Sequence, residues 1–363
     1  MHLRTWLPMM SDRSPLLNFL ADRRSADHLD PQGWSLLFAE ARACSLSARL
    51  ATTLAKAPPA SMPAAFHAHL LAAQRQWQAL ADDAIRELRL IAEALHSVGT
   101  RVVLLKGAAY VAADLPSAQG RIFSDIDVLV DKEFLPKAES NLMLAGWVAR
   151  HMSAYDHRYY REWSHEIPPM MHLQRGTVID LHHSLVMPTC KIRVDVKSMI
   201  DDIVPIPGEG NWFRLKDEDL VLHAASHLLL NSEFDRGLRD LWDIDLLMRY
   251  FSADMPDFGE AVLHRAERVG LGRVVRQAFT LCARLFRTPL PQRALNERGP
   301  VMKLLGAAID TRHPDTRSSW QALADQLLLY RELNLRLPPA LLARHLWHKA
   351  TTAFHSESQR RAV

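Results

Sequence analysis

The sequence predicts an α+β protein, with a small mixed sheet embedded between helical N-terminal and C-terminal regions. Three observations predict it. Residues 12–97 are rich in alanine and leucine at helical spacing. Between 102 and 185, short β-branched apolar runs alternate with helical ones. From 216 onward, long apolar stripes at helical spacing return. The expected divisions are a helical region over 1–80, an α/β domain over 81–210 and a helical domain over 211–363.

In order, Pro58, Pro59 and Pro63 break the first helical stretch. Residues 84–98 place Ile85, Leu88, Ile91 and Leu95 on one face, and Gly99 stops that helix. The run VVLL at 102–105 suits a buried strand, and IDVLV at 126–130 is a second one. A short helix is expected over 133–145, ending at Gly146. Residues 158–163 and 169–174 read as further strands, and TVIDLHHSL at 177–185 as a stronger one after Gly176. The C-terminal helices are expected to break at Pro256, Pro289, Pro291, Pro300, Pro314 and Pro338-Pro339.

Composition narrows the function. The 363 residues carry 44 Lys+Arg against 41 Asp+Glu, which argues against a simple polybasic nucleic-acid binder. Three cysteines without a CxxC exclude a disulfide scaffold or a Cys-rich zinc site and suggest a cytoplasmic chain. No run of about 18 apolar residues is present, so no stable membrane insertion is expected. The apolar N-terminal patch is cut by Pro8, Asp12 and Arg13, too early for a secretory signal. The charge is uneven: residues 264–363 hold 17 Lys+Arg, 15 of them arginine, against 7 Asp+Glu.

The most informative stretch is Arg121-Ile-Phe-Ser124-Asp125-Ile126-Asp127. Strand alternation puts both carboxylates on one face. Side by side they repel unless a cation lies between them, and hard oxygen ligands at this spacing suit Mg²⁺ or Mn²⁺. Asp180, on the 177–185 strand, would join them if the strands are neighbours. Three such aspartates can hold two divalent ions for in-line displacement at phosphorus. Upstream, Lys106-Gly107-Ala108 stands at a strand-to-helix junction where small residues let a phosphate approach the backbone, and Lys106 adds positive charge. Arg121 and Ser124 are further phosphate contacts to test.

This order of motifs resembles the DNA polymerase β-like nucleotidyltransferase superfamily. More closely, it is similar to the bacterial uncharacterised nucleotidyltransferase family. The matching residues are Lys106-Gly107, Arg121, Asp125-Ile126-Asp127 and Asp180-Leu181-His182. They span roughly residues 84–185, with a weaker helical extension to about 250. The resemblance implies a polymerase β-like palm domain. Its implied activity is metal-dependent transfer of an NMP from an NTP such as ATP to a hydroxyl acceptor. Asp125, Asp127 and Asp180 would be catalytic and metal-binding. Lys106, Gly107, Arg121, Ser124 and His182 would bind the nucleotide. The acceptor is left open among a small molecule, a peptide or protein, and RNA, the last through the Arg-rich C-terminal region. Ala108 stands where the superfamily often has serine. That departure supports an alternative, a catalytically weak or inactive nucleotide-binding module of the same fold.

Other residues have plainer readings. His182 shares the Asp180 face and either orients a ligand or is held structurally. His223 and His227 have the spacing of two helical ligands but lack the Glu of a metalloprotease motif, so packing is expected. Asp240, Asp243 and Asp245 read as a solvated acidic helix face. Trp212, Trp242, Trp320 and Trp347 read as core or inter-helix anchors.

Overall fold

The computed structural model describes residues 14–361 apart from 151, 209–210 and 232–233. The apolar patch at residues 1–10 lies outside the described residues. Four helices precede the sheet: α1 (Pro15–Ala21), α2 (Pro31–Ala43), α3 (Ser47–Lys56) and α4 (Ala64–Leu95). Ser14 and Asp30 cap α1 and α2 by accepting from the backbone N–H of Leu17 and Gly33, and each helix begins with proline. Pro58, Pro59 and Pro63 fall between α3 and α4, where no helical hydrogen bond is lost.

The middle third contains β1 (Val102–Leu104), α5 (Lys106–Ala112), β2 (Asp125–Leu129), α6 (Leu135–Leu144), β3 (Trp147–Ala149) and α7 (Ala154–Trp163). Then come β4 (Met170–His172), β5 (Val178–His182), α8 (Val196–Asp201), β6 (Val204–Pro205) and β7 (Trp212–Arg214). All seven strands form one mixed sheet in the order β3-β4-β5-β2-β1-β7-β6. β2 lies between β5, parallel to it, and β1, antiparallel to it. The buried apolar residues of β1 and β2 suit this central position. β7 pairs with β1, so the sheet continues past residue 210.

The expected strand over 158–163 is instead part of α7. The Tyr159-Tyr160 pair favoured a strand locally. Ser153 caps the helix by accepting from Asp156 N–H, and Arg158 pairs with Glu162 one turn on. β3, β6 and β7 are two or three residues long, too short to show a period of two.

Seven helices complete the chain: α9 (Asp217–Leu230), α10 (Gly237–Asp254), α11 (Phe258–Val269), α12 (Gly272–Phe286), α13 (Pro300–Ala308), α14 (Gln321–Arg336) and α15 (Pro339–Arg361). The prolines fall between them or in their first turn. One connected apolar core runs from Leu16 in α1 through the sheet to Leu328 in α14. Trp212 and Trp242 are buried as expected, but Trp320 and Trp347 are 66% and 75% exposed and are not core anchors.

A buried ion cluster joins these regions. Asp243 of α10 receives Arg49 of α3 at 2.7 Å and Arg121 Nε at 2.7 Å. Asp240 lies 2.6 Å from Arg239, which also donates to the Ile122 carbonyl at 3.0 Å. Arg49 donates to the Ser117 and Gln119 carbonyls as well. Burial alone would raise the Asp243 carboxyl, but Arg49, Arg121 and Arg239 hold it below its ordinary value. Gly120, at φ +72°, lies against α3, where a Cβ would come within 2.4 Å of Arg49 Cα. The loop entering β2 is thus fastened to α3 and α10 together.

This overturns the expectation of a solvated acidic face. Asp240, Asp243 and Asp245 are all buried. Asp245 accepts from Thr288 at 2.6 Å and Arg249 at 2.8 Å. Arg49, Arg121 and Thr288 come from other elements, so a helical wheel of α10 cannot reveal them. Desolvation offsets much of the attraction in such a cluster, whereas removing one member strands the others. Asp243→Ala is therefore expected to lower the unfolding free energy by about 3–5 kcal/mol, read by urea denaturation. Asp125→Ala should change it by less than about 1 kcal/mol.

Candidate functional site

The parallel pairing of β2 with β5 sets Asp127 opposite Asp180 and Asp125 opposite Val178. Alternation then puts Asp125, Asp127, Asp180 and His182 on one face of the sheet. One oxygen from each of the three aspartates lies within 4.8 Å of the others. Asp127 is buried, and Asp125 and Asp180 are half-buried.

The three are held differently. Asp127 Oδ1 accepts from Lys106 Nζ at 2.6 Å and from His182 Nε2 at 2.9 Å. Burial would raise this carboxyl, but Lys106 and His182 hold it well below the usual carboxylate range. Burial would likewise lower Lys106. Asp127 outweighs it, with Glu166 and Asp125 behind, and holds the ammonium above its ordinary value. Lys106 has φ +46°, a left-handed conformation that a non-glycine residue seldom adopts. This strained residue opens α5, just after β1, at the point from which its ammonium reaches Asp127.

Asp180 has no such compensation. Burial first, then the charges of Asp127, Glu166 and Asp125, push its carboxyl up to about 8. Its Oδ1 is buried without a hydrogen-bond partner. A divalent cation among the three aspartates would satisfy that oxygen and relieve the repulsion. The donor set, all carboxylate oxygen, fits Mg²⁺ or Mn²⁺.

The remaining sequence candidates are placed as follows. Ser124 is exposed at the start of β2, its Oγ 3.4 Å from Asp125 Oδ1. Arg121, read as a phosphate contact, has its guanidinium buried against Asp243 and Asp240. Gly107 makes room for that same segment: a Cβ there would lie 2.7 Å from Arg121 Nη1 and 3.0 Å from the Phe123 ring. Ala108 is buried in the core. Arg121 and Gly107 therefore serve the packing of the β2 approach.

Two neighbours were not read from the sequence. Glu166 forms an isolated antiparallel bridge with His182, and its Oε2 lies 3.4 Å from His182 Nε2. His165 precedes it, buried, its ring centroid 5.2 Å from that of His182. They lie outside any periodic element, so no local pattern marks them. His223 and His227 of α9 complete this side. Burial chiefly, reinforced by the Lys106 charge, lowers His223 to about 3 and His227 well below its ordinary value. His165 is depressed by burial, then by His182, Arg336 and Lys106. Three imidazoles of lowered proton affinity thus stand within electrostatic reach of Lys106. Tyr160 of α7 is pushed up to about 12 by burial, Glu166 and Asp180.

The Asp180 shift has a thermodynamic consequence. The folded chain holds that proton to about pH 8, against an ordinary value of 3.8. The stabilisation is therefore full below pH 3.8 and is lost as pH rises through about 8. For chelator-treated protein, Asp180→Asn should raise the melting temperature by roughly 2–4 °C at pH 9 and by less than about 1 °C at pH 5. Equal effects at both pH values would sink the assignment.

A family model described as "Uncharacterised nucleotidyltransferase" matches residues 30–287. No curated protein and no solved structure matches the chain. The matched span covers more than half of the 363 residues. It takes in the whole sheet, Lys106, the three aspartates and the Arg49–Asp243 ion cluster. The chain belongs to the uncharacterised nucleotidyltransferase family.

Proposed function

We propose that the chain moves an NMP from an NTP to a hydroxyl acceptor in a divalent-metal-dependent reaction that releases pyrophosphate. The observation that carries this reading is the convergence of Asp125, Asp127 and Asp180 on one sheet face, with Asp180 uncompensated. Asp125 and Asp127 on one strand and Asp180 on its parallel neighbour are the arrangement expected of a polymerase β-like palm. Asp125 and Asp127 would hold Mg²⁺ or Mn²⁺, with Asp180 completing the acceptor side. Such ions, when bound, neutralise triphosphate charge and acidify an attacking hydroxyl.

The chain's own groups account for the rest. Lys106 and His182 fix Asp127 in its ionised form. Lys106 also brings positive charge toward the triphosphate. Asp180, ionised once a cation is bound, would be the carboxylate placed to take the acceptor's proton. The freed oxygen then attacks the α-phosphorus, the bond to the β-phosphate breaks, and pyrophosphate leaves.

The acceptor remains open among a small molecule, a peptide or protein, and an RNA end. The Arg-rich C-terminal segment does not single out RNA, because several of its arginines pair with carboxylates within the fold. Arg265 pairs with Asp219, Arg276 with Glu267 and Glu297, Arg293 with Glu260, Arg312 with Asp325 and Arg336 with Glu332. A cytoplasmic location is part of this proposal. Among the described residues no helix is long and apolar enough to cross a membrane. The alternative, a nucleotide-binding module without turnover, draws on Ala108.

Replacing Asp125 and Asp127 together by alanine is expected to reduce Mg²⁺-dependent pyrophosphate release from NTP by at least about 10³-fold with the fold retained. Wild-type turnover in that double variant would defeat the metal-site assignment. Incubating the protein with Mg²⁺, each labelled NTP and lysate should yield a species carrying one added nucleotide mass, absent with Asp180→Asn. If wild-type protein binds NTP and Mg²⁺ yet labels nothing, the non-catalytic module is the better description.

A further inference from the structure

Beside the all-oxygen aspartates stands a second group of potential ligands with different chemistry. Its backbone is rigidly placed. Residues 165–167 run alongside β5, with Ile167 N–H donating to the Leu181 carbonyl at 3.0 Å. The N–H groups of His183 and Ser184 both donate to the His165 carbonyl, at 2.9 and 3.2 Å. These bonds hold His165 and Glu166 against His182. The two imidazoles are only 7% and 1% exposed.

The side-chain distances are not those of hydrogen bonds. His182 Nε2 is 3.4 Å and His165 Nε2 is 3.9 Å from Glu166 Oε2. A nitrogen donor normally approaches an oxygen to about 2.7–3.2 Å. Ligands at about 2.0–2.2 Å from a tetrahedral ion stand roughly 3.3–3.6 Å apart; the His182–Glu166 distance falls in that range, and the His165–Glu166 distance exceeds it and would close on binding. One ligand atom from each of His165, Glu166 and His182 lies within 4.8 Å of the others.

We propose that His165, Glu166 and His182 form a site for a transition-metal dication of the zinc class, separate from the aspartate site. Two imidazoles and one carboxylate are the protein ligands of open tetrahedral zinc sites, whereas Mg²⁺ prefers oxygen throughout. The two neighbouring sites therefore sort ions by donor type. Occupation replaces the hydrogen bond from His182 Nε2 to Asp127. The Nε2 proton moves to Nδ1, the nitrogen lone pair binds the ion, and Asp127 keeps Lys106 as its partner. Each histidine ligates as a neutral imidazole. The site's three donors are not members of the aspartate triad, although His182 also bonds Asp127, and ion uptake is read without nucleotidyl transfer.

The test uses the full chain after chelator treatment, in millimolar Mg²⁺, titrated with Zn²⁺ by calorimetry and with Co²⁺ by visible absorption. The expected result is one equivalent of Co²⁺ with the absorption of a four-coordinate ion. His165→Asn and Glu166→Gln should each weaken binding by at least about tenfold. Asp125→Asn should leave it within about threefold, which separates this site from the aspartates. Circular dichroism establishes that the variants fold, and Glu166→Gln carries the test if His165→Asn does not. The proposal is overturned if the wild-type chain takes up no Co²⁺ over Mg²⁺. It is equally overturned if Asp125→Asn weakens binding as much as Glu166→Gln does.

Discussion

Carboxylates within 4.8 Å of one another repel, and the fold neutralises that repulsion unevenly. Asp127 is matched by Lys106 and His182, both on the same oxygen. Asp180, its register partner on β5, has an Oδ1 without a hydrogen-bond partner, is only partly offset by Lys106, and carries a raised affinity for protons. A folded chain tolerates one uncompensated buried carboxyl when it can be protonated or joined by a cation. The functional reading grows from that asymmetry, which makes the aspartate face both the strained part of the sheet and its chemically responsive part.

The scaffold is organised to hold this face in place. The loop entering β2 is fastened by Arg121 to Asp243 and by Arg49 to its carbonyl groups. Gly107 and Gly120 permit the close approaches that this requires. Such a cluster adds modest net stability because its charges are desolvated, but it specifies one arrangement of α3, the loop and α10. Residues close to the Asp125–Asp127 pair can thus take part in packing. Arg121 lies four residues from Asp125 yet points its charge into the interior.

The near-zero net charge is a cancellation along the chain, and the fold resolves it by pairing across segments. Arg265 of the basic segment reaches Asp219 on α9, and Arg293 pairs with Glu260 on α11. A positive count in a sequence window therefore reports less about partners than about internal pairing.

The sequence by itself determined which carboxylates share a face, because strand alternation is a local property readable from Asp125-Ile126-Asp127 and from Asp180. It also determined the major helical stretches, whose apolar stripes repeat over many turns. The α7 misreading shows the limit of short windows, since a cap and one ion pair outweighed the aromatic preference for a strand. Only the tertiary structure decided that β2 and β5 are parallel neighbours with Asp127 against Asp180. It alone brought Glu166 and His165 to His182, and gave Arg121 a partner 122 residues away. The physical reason is that pairing register and buried ion partners join residues far apart in the chain. No periodicity within a single window encodes which of two charged residues will meet once water is excluded.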